Sequence, residues 1–204
     1  ETMNSEGRRR YPLAFPSFFS IALMSLLVLS IPANAQEYRS GWDIIDSGTS
    51  EDLYSVESQG NEIWAFGENG IMIMSFDGGL TWELGESLTS SDLTISSSGY
   101  GSFLTASSDG TILVKSTNDS TWSDITFDFG NELIHGACLT GVSEFVIVGG
   151  NGTIWTYEMQ EWTNRSVSGL DLLDVSFLDS ERGIAVGEQG TILFSDDGGE
   201  TWDY

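Results

Sequence analysis

Tryptophan recurs at a fixed interval along this chain, and that interval constrains the fold more than any other feature. Five of the seven tryptophans lie 40 residues apart, at Trp42, Trp82, Trp122, Trp162 and Trp202. A period of this length is typical of repeat folds, in which each repeat is one supersecondary unit that buries its apolar face against the next. The chain of 204 residues therefore holds about four copies of one structural unit.

Each copy contains short apolar segments of strand length, separated by tight turns. Turn sequences rich in Asn, Asp and Gly separate the second and third segments, at residues 68–70, 108–110, 150–152 and 188–190. Such residues tolerate the positive φ angles of tight β-hairpins. Four antiparallel strands every 40 residues predict an all-β protein, a β-propeller of four-stranded blades. We expect the repeats at about 43–82, 83–122, 123–162 and 163–202.

The first 35 residues have the pattern of a signal peptide. Arginines at positions 8–10 precede an apolar run at 18–31, and Ala-Asn-Ala at 33–35 fits a signal peptidase site. We expect cleavage there, export to the periplasm, the cell exterior or a lumen, and no stable membrane insertion of the mature chain. The alternative is an uncleaved segment that anchors the protein, although the run is shorter than the roughly 20 residues that span a bilayer.

Charge and the rarest residues exclude several functions. The net charge is −24, from 31 acidic and 7 basic residues, which argues against nucleic acid as a partner. The single cysteine, Cys138, excludes a disulfide framework and a multi-cysteine zinc site. We interpret Cys138 as a buried small side chain and His135, the only histidine, as a structural or partly buried one. We predict no catalytic residue, cofactor or metal site.

The turn between the third and fourth strands carries the motif S-x-D-x-G-x-T-W in the first and last copies. Its residues are Ser75, Asp77, Gly79, Thr81 and Trp82, and Ser195, Asp197, Gly199, Thr201 and Trp202. The Asp can accept hydrogen bonds from the turn backbone, Gly permits left-handed geometry, and Trp supplies apolar surface between sheets. This structural role explains the aspartates more simply than calcium binding does. The second and third copies of the motif are degenerate.

This motif resembles the Asp-box, or bacterial neuraminidase repeat, and the fuller unit at 173–202 resembles the photosystem II stability and assembly factor family. The resemblance implies a seven-bladed, exported or lumenal propeller that acts as a non-enzymatic assembly factor. We therefore predict an exported scaffold that binds a protein partner or assists its assembly. Four copies fall short of seven blades, so we expect this chain to be the N-terminal part of a longer protein. A four-bladed ring and closure between chains are the alternatives.

The chain departs from that family in its basic residues. The family is thought to present an Arg-rich patch, but the basic residues beyond the leader are only Arg39, Lys115, Arg165 and Arg182. Two other functions stay open, a glycan-binding or sialidase-like propeller and a cell-surface adhesion repeat protein. Sialidases need three arginines around the substrate, which this composition supports poorly. Three sequons make Asn118, Asn151 and Asn164 candidate glycosylation sites.

Overall fold

The computed structural model describes residues 44–167 and 169–204. The predicted signal peptide, Trp42 and Arg39 lie outside the described residues.

The described residues form four antiparallel sheets, which follow one another along the chain. The strands of blade 1 are β1 Leu53–Gln59, β2 Glu62–Gly67, β3 Met72–Ser75 and β4 Glu83–Leu84. Those of blade 2 are β5 Ile95–Gly99, β6 Ser102–Ala106, β7 Ile112–Ser116 and β8 Ser123–Asp124. Those of blade 3 are β9 Ile134–Gly141, β10 Glu144–Gly149, β11 Ile154–Glu158 and β12 Glu161–Asn164. Those of blade 4 are β13 Leu172–Phe177, β14 Gly183–Gly187 and β15 Ile192–Ser195.

Strand order within each sheet equals sequence order, so every blade is a meander of neighbouring hairpins. In blade 4 the fourth strand is represented by a bridge, in which the backbone N–H groups of Phe194 and Asp203 each donate to the other's carbonyl. The prediction of an all-β propeller with about four blades is confirmed.

The turns between the second and third strands adopt the predicted left-handed geometry. Asn69, Asn151 and Gln189 have φ angles of 53–54°, and the glycine that follows each of them also has positive φ. At Gly70 a side chain is also excluded sterically, because a Cβ atom would lie 2.2 Å from the carbonyl oxygen of Thr89. The turn therefore packs tightly on the loop that leads into blade 2.

Strand direction divides the loops between two faces. The upper face carries the turns after the second strand of each blade and the loops that connect one blade to the next. The lower face carries the turns after the first and third strands. Backbone hydrogen bonds confirm this grouping. On the upper face Glu68 N–H donates to Asp52 O at 2.9 Å, and on the lower face Gly78 N–H donates to Asn61 O at 3.2 Å.

Three apolar clusters hold consecutive blades together. Between blades 1 and 2 lie Trp64, Phe66, Met72, Leu93, Phe103 and Leu113. The corresponding clusters between blades 2 and 3 and between blades 3 and 4 are built from the same strand positions. The periodic tryptophans pack here too, since Trp122 lies edge-on to Trp64 with ring centroids 5.2 Å apart. Across 44–167 and 169–204, no helix has the length and apolarity needed to cross a bilayer.

Candidate functional site

The innermost strands of the four blades, β1, β5, β9 and β13, line an open groove of about 320 Å³. We call it the inner groove; its lining includes Val56, Glu57, Thr94, Ser96, His135 and Asp174. Four different blades contribute to it, so their packing fixes its shape. Sites built on strands are positioned more rigidly than sites built on loops alone.

Glu57 is held in the inner groove by two serines of the next blade. Ser96 Oγ donates to one carboxylate oxygen at 3.1 Å, and Ser98 Oγ donates to the other at 2.7 Å. These bonds cross from β1 to β5, so the carboxylate also links blade 1 to blade 2. Hydroxyl groups solvate this carboxylate, and within 44–167 and 169–204 it forms no ion pair, which leaves it able to attract a positive group.

Asp174 supplies a second carboxylate from the opposite end of the inner groove. Its side chain is exposed, and one carboxylate oxygen accepts a hydrogen bond from the backbone N–H of Val175 at 2.9 Å. Among the described residues, no hydrogen-bond donor contacts its other oxygen. The inner groove therefore presents carboxylates from blades 1 and 4.

His135 joins blades 3 and 4 at the inner groove. Its Nδ1 lies 2.9 Å from the carbonyl oxygen of Leu172, which can only accept, so Nδ1 carries the hydrogen. With Nδ1 committed to this bond, Nε2 is the ring nitrogen left to contact a ligand. His135 is partly buried, as the sequence predicts.

Cys138, three residues further along β9, does not line the inner groove. It packs against the apolar cluster between blades 3 and 4, and burial raises the pKa of its thiol. A protonated, partly buried thiol is a poor nucleophile. This placement agrees with its interpretation as a small core side chain.

The S-x-D-x-G-x-T-W turns lie on the lower face, away from the inner groove's carboxylates. Asp77 accepts hydrogen bonds from Thr81 Oγ1 at 2.6 Å, Thr81 N–H at 2.9 Å and Ser75 Oγ at 2.8 Å. These donors lower the pKa of Asp77 to about 2. Gly79 has a φ angle of 88°, in the left-handed region that favours glycine, and its N–H donates to Ser75 Oγ. Within the described residues, every hydrogen bond to the Asp77 carboxylate comes from its own turn.

The last copy of the turn repeats this geometry. Desolvation opposes ionisation of Asp197, but hydrogen bonds from Thr201 and Ser195 outweigh it and lower its pKa. Trp202 is buried, donates from Nε1 to Gly199 O at 3.1 Å and packs in the cluster between blades 3 and 4. The motif residues thus close the hairpin and seal the blade interface.

Carboxylates dominate the upper face as well. Its turns and loops carry Glu51, Asp52, Glu68, Glu86, Asp92, Asp109, Asp128, Glu132, Asp171 and Glu188. Desolvation, together with a hydrogen bond to Glu51 and repulsion from it, raises the pKa of Glu68. Such crowding shows that the local potential is negative.

The remaining candidate residues are dispersed. Arg165 follows β12 at the upper side, whereas Arg182 lies in the β13–β14 turn on the lower face, where it binds Asp179 at 2.6 Å. The arginines of the described residues therefore do not converge as a sialidase site requires. Asn118, Asn151 and Asn164 are all exposed. Within 44–167 and 169–204, no three or more His, Cys, Asp or Glu side chains are grouped to hold a metal ion.

Sequence reasoning missed the inner groove itself. Glu57, Ser96 and Asp174 belong to no motif, and the copies of the repeat differ at their positions. The available signal was weak, namely polar residues on the first strand of a blade, where a propeller strand borders the central axis.

Comparisons with known proteins agree with this architecture. No protein-family model matches the sequence, and no curated protein matches it. Among solved structures, YCF48 bound to a D1 peptide is 17% identical over 78% of this chain and 55% of its own, with a TM-score of 0.60. YCF48 from Cyanidioschyzon merolae is 16% identical over 78% of this chain and 58% of its own, with a TM-score of 0.59. The WD40 repeats of RRP9 are 11% identical over 76% of this chain and 51% of their own, with a TM-score of 0.61.

The likeness shows the fold, a β-propeller. This chain spans between 51% and 58% of the length of these three structures.

Proposed function

We propose that this chain is an exported, non-enzymatic β-propeller of the Asp-box type that binds a polypeptide segment carrying lysine or arginine. The observation that carries the proposal is the inner groove, an open space of about 320 Å³ whose lining includes Glu57 and Asp174 but no lysine or arginine. Rigid strands hold these carboxylates where a cationic side chain of a partner can reach them.

The chemistry of the inner groove suits an extended polypeptide better than a buried small molecule. Small-molecule sites enclose most of their ligand and are largely apolar. The inner groove is instead open and mixes hydroxyl groups, an imidazole and carboxylates with a few apolar side chains such as Val56. These groups can bind the backbone amides of a partner while the carboxylates select its positive side chains.

The acidic upper face adds a long-range contribution to the same recognition. A surface of one charge sign steers an oppositely charged partner and raises its association rate. The solved structure of YCF48 with a D1 peptide supports peptide binding as a use of this fold. The assembly role implied by the sequence resemblance is consistent with a reversible contact of this kind. Export rests on the sequence of residues 1–35.

The test is a fluorescence anisotropy titration of the full chain with a labelled peptide that contains arginine and lysine. The same peptide with glutamate at those positions is the ligand control. We expect only the basic peptide to bind, and added salt to weaken its binding.

The double variant Glu57→Gln and Asp174→Asn should weaken binding at least about tenfold, because hydrogen bonds to charged groups are lost. The matched control replaces two exposed carboxylates of the lower face, Glu161→Gln and Glu200→Gln, and should bind like the unmodified chain. Equal binding of the acidic peptide, or an equal loss in both double variants, would contradict the proposal.

A further inference from the structure

Blades 2 and 3 border a cavity of about 650 Å³ on the lower face, which we call the lower cleft. Strands β7 and β8 of blade 2 line one side of it, and the β9–β10 and β11–β12 turns of blade 3 line the other. It shares no lining residue with the inner groove. Its volume lies within the range of about 300–1,000 Å³ that is usual for ligand sites.

The lower cleft lies where the S-x-D-x-G-x-T-W turn is degenerate. In blade 4 that turn packs on blade 3, since a Cβ atom on Gly199 would lie 3.0 Å from Val146 Cγ2. Blade 3 shortens the corresponding turn to residues 159–160. Strand pairing places Val114 on the equivalent surface of blade 2, and Val114 lines the lower cleft. The loss of the motif therefore opens a space that the turn covers in blade 4.

The polar side chains of the lower cleft have unused capacity for hydrogen bonds. In the intact motif the corresponding groups are engaged, since Asp77 accepts hydrogen bonds from Ser75 and Thr81. Six side chains that line the lower cleft form no hydrogen bond with any residue of 44–167 and 169–204, namely Asp119, Ser123, Ser143, Glu144, Tyr157 and Gln160. A ligand in the lower cleft can therefore bind all of them without breaking a contact within the protein.

The backbone at the rim of the lower cleft adopts an unfavourable conformation for its sequence. Met159 and Gln160 form the two-residue turn between β11 and β12, with φ angles of 51° and 68°. Such a type I′ turn favours Asn-Gly. Here it carries two long side chains instead, and Met159 is 89% exposed. A sequence that breaks a local rule in this way is expected at a functional site.

The chemistry of the lining favours an uncharged ligand that is rich in hydroxyl groups. Carboxylate and amide oxygens accept hydrogen bonds from sugar hydroxyls, and serine and tyrosine hydroxyls both donate and accept. The apolar side chains Val114, Ile125 and Val142 suit the C–H faces of sugar rings. The lining has no lysine, arginine or histidine to pair with a phosphate or an acidic sugar. The strand β8, Ser123–Asp124, is too short to pair along an extended polypeptide.

We propose that the lower cleft binds a neutral oligosaccharide. This site goes beyond the proposed peptide site, because the two share no residue. Binding of an uncharged sugar should be insensitive to salt, whereas salt should weaken binding of the basic peptide. The two proposals can therefore fail separately.

Isothermal titration calorimetry of the full chain with neutral hexasaccharides of glucose, mannose, galactose and N-acetylglucosamine tests the proposal. We expect at least one of them to bind, with an affinity that salt does not change. The double variant Glu144→Gln and Tyr157→Phe should weaken binding about tenfold, because it changes two hydrogen-bonding groups and keeps their volume. The matched control, Glu83→Gln and Tyr100→Phe, alters exposed residues outside the lower cleft and should bind like the unmodified chain.

A second variant separates lost binding from misfolding. Met159→Asn with Gln160→Gly gives the turn its preferred sequence and removes both side chains from the rim. We expect the Tm to rise and sugar binding to weaken about tenfold. Gln189→Asn creates the same Asn-Gly sequence in the β14–β15 turn, where φ is 54°, and should raise the Tm without changing sugar binding.

Two results would overturn the proposal, namely no binding of any of these hexasaccharides, or binding that both variants of the lower cleft leave unchanged. Binding of the basic peptide that is lost in Glu144→Gln and Tyr157→Phe, but kept in Glu57→Gln and Asp174→Asn, would overturn the sugar as the ligand. It would also contradict the inner groove as the peptide site.

Discussion

Replacing Lys115 by Met should destabilise the chain, even though methionine fills similar space. Lys115 lies on β7 and is buried, with its side chain 8% exposed. Its Nζ lies 3.3 Å from Glu62 Oε1 in blade 1 and 5.6 Å from the centroid of the Trp64 ring. The same carboxylate oxygen accepts a hydrogen bond from Trp64 Nε1 at 2.8 Å. One lysine thus links two blades through an ion pair and a ring contact.

The magnitude follows from the separation and the burial. Two unit charges 3.3 Å apart attract by about 5 kcal/mol at an effective dielectric constant of 20, before desolvation is subtracted. Breaking a buried pair by removing one partner costs about 3–5 kcal/mol. Glu62 keeps its bond from Trp64, so we expect Lys115→Met to lower the free energy of unfolding by about 2 kcal/mol. Glu62→Gln should cost about as much, because Lys115 would keep only a hydrogen bond to the Ser116 carbonyl.

The double variant should recover most of the loss, since no uncompensated charge remains. We expect it to lie within about 1 kcal/mol of the unmodified chain, which gives a coupling energy near 3 kcal/mol. Urea unfolding followed by tryptophan fluorescence measures all four proteins. The control is Arg182→Met, because the ion pair of Arg182 with Asp179 is exposed. This variant should have no measurable effect on the free energy of unfolding. Additive losses from the two single variants would refute the reasoning.

Three further predictions concern two turn aspartates, a buried tryptophan and the single cysteine. Hydrogen bonds from Thr81 and Ser107 lower the pKa values of Asp77 and Asp109 to about 2, against 3.8 for an ordinary aspartate. The contribution of these carboxylates to stability is therefore present above pH 3.8 and is lost as pH falls towards 2. Urea unfolding at successive pH values should show that decline, and Asp109→Asn should make it shallower. Trp202→Ala should lower the free energy of unfolding by about 3–5 kcal/mol, measured in the same assay, because a large side chain leaves a buried interface. Cys138 should react with a thiol reagent slowly in the folded chain and rapidly in urea, since burial raises its pKa; equal rates would contradict its placement.

The period of the tryptophans was enough to predict the blades, because one repeat must bury its faces against its neighbours. The turn after each second strand was predictable for a similar reason, since Asn69 and Asn151 precede a glycine and tolerate positive φ. The turns depend on neighbouring residues and the blades on a fixed spacing, and both kinds of pattern can be recognised directly in the sequence.

The inner groove could not be predicted, because it forms where residues far apart in sequence meet. Glu57 reaches Ser96 across 39 positions, and nothing near either residue indicates the other. Lys115 is a similar case. In the second copy of the repeat it occupies the position of the motif's serine, so the sequence alone shows only a departure from the motif. Its partner Glu62, 53 positions away, gives the substitution its physical reason.

Site-specific photo-crosslinking tests most directly whether the inner groove binds polypeptide. A photoreactive residue in place of Thr94, which is exposed and lines the inner groove, is compared with one at Thr163, which is exposed on the outer strand β12. With the basic peptide as probe, we predict an adduct from position 94, none from position 163, and loss of the adduct in the variant with Glu57→Gln and Asp174→Asn. Equal adducts from both positions, or none from position 94, would contradict the account.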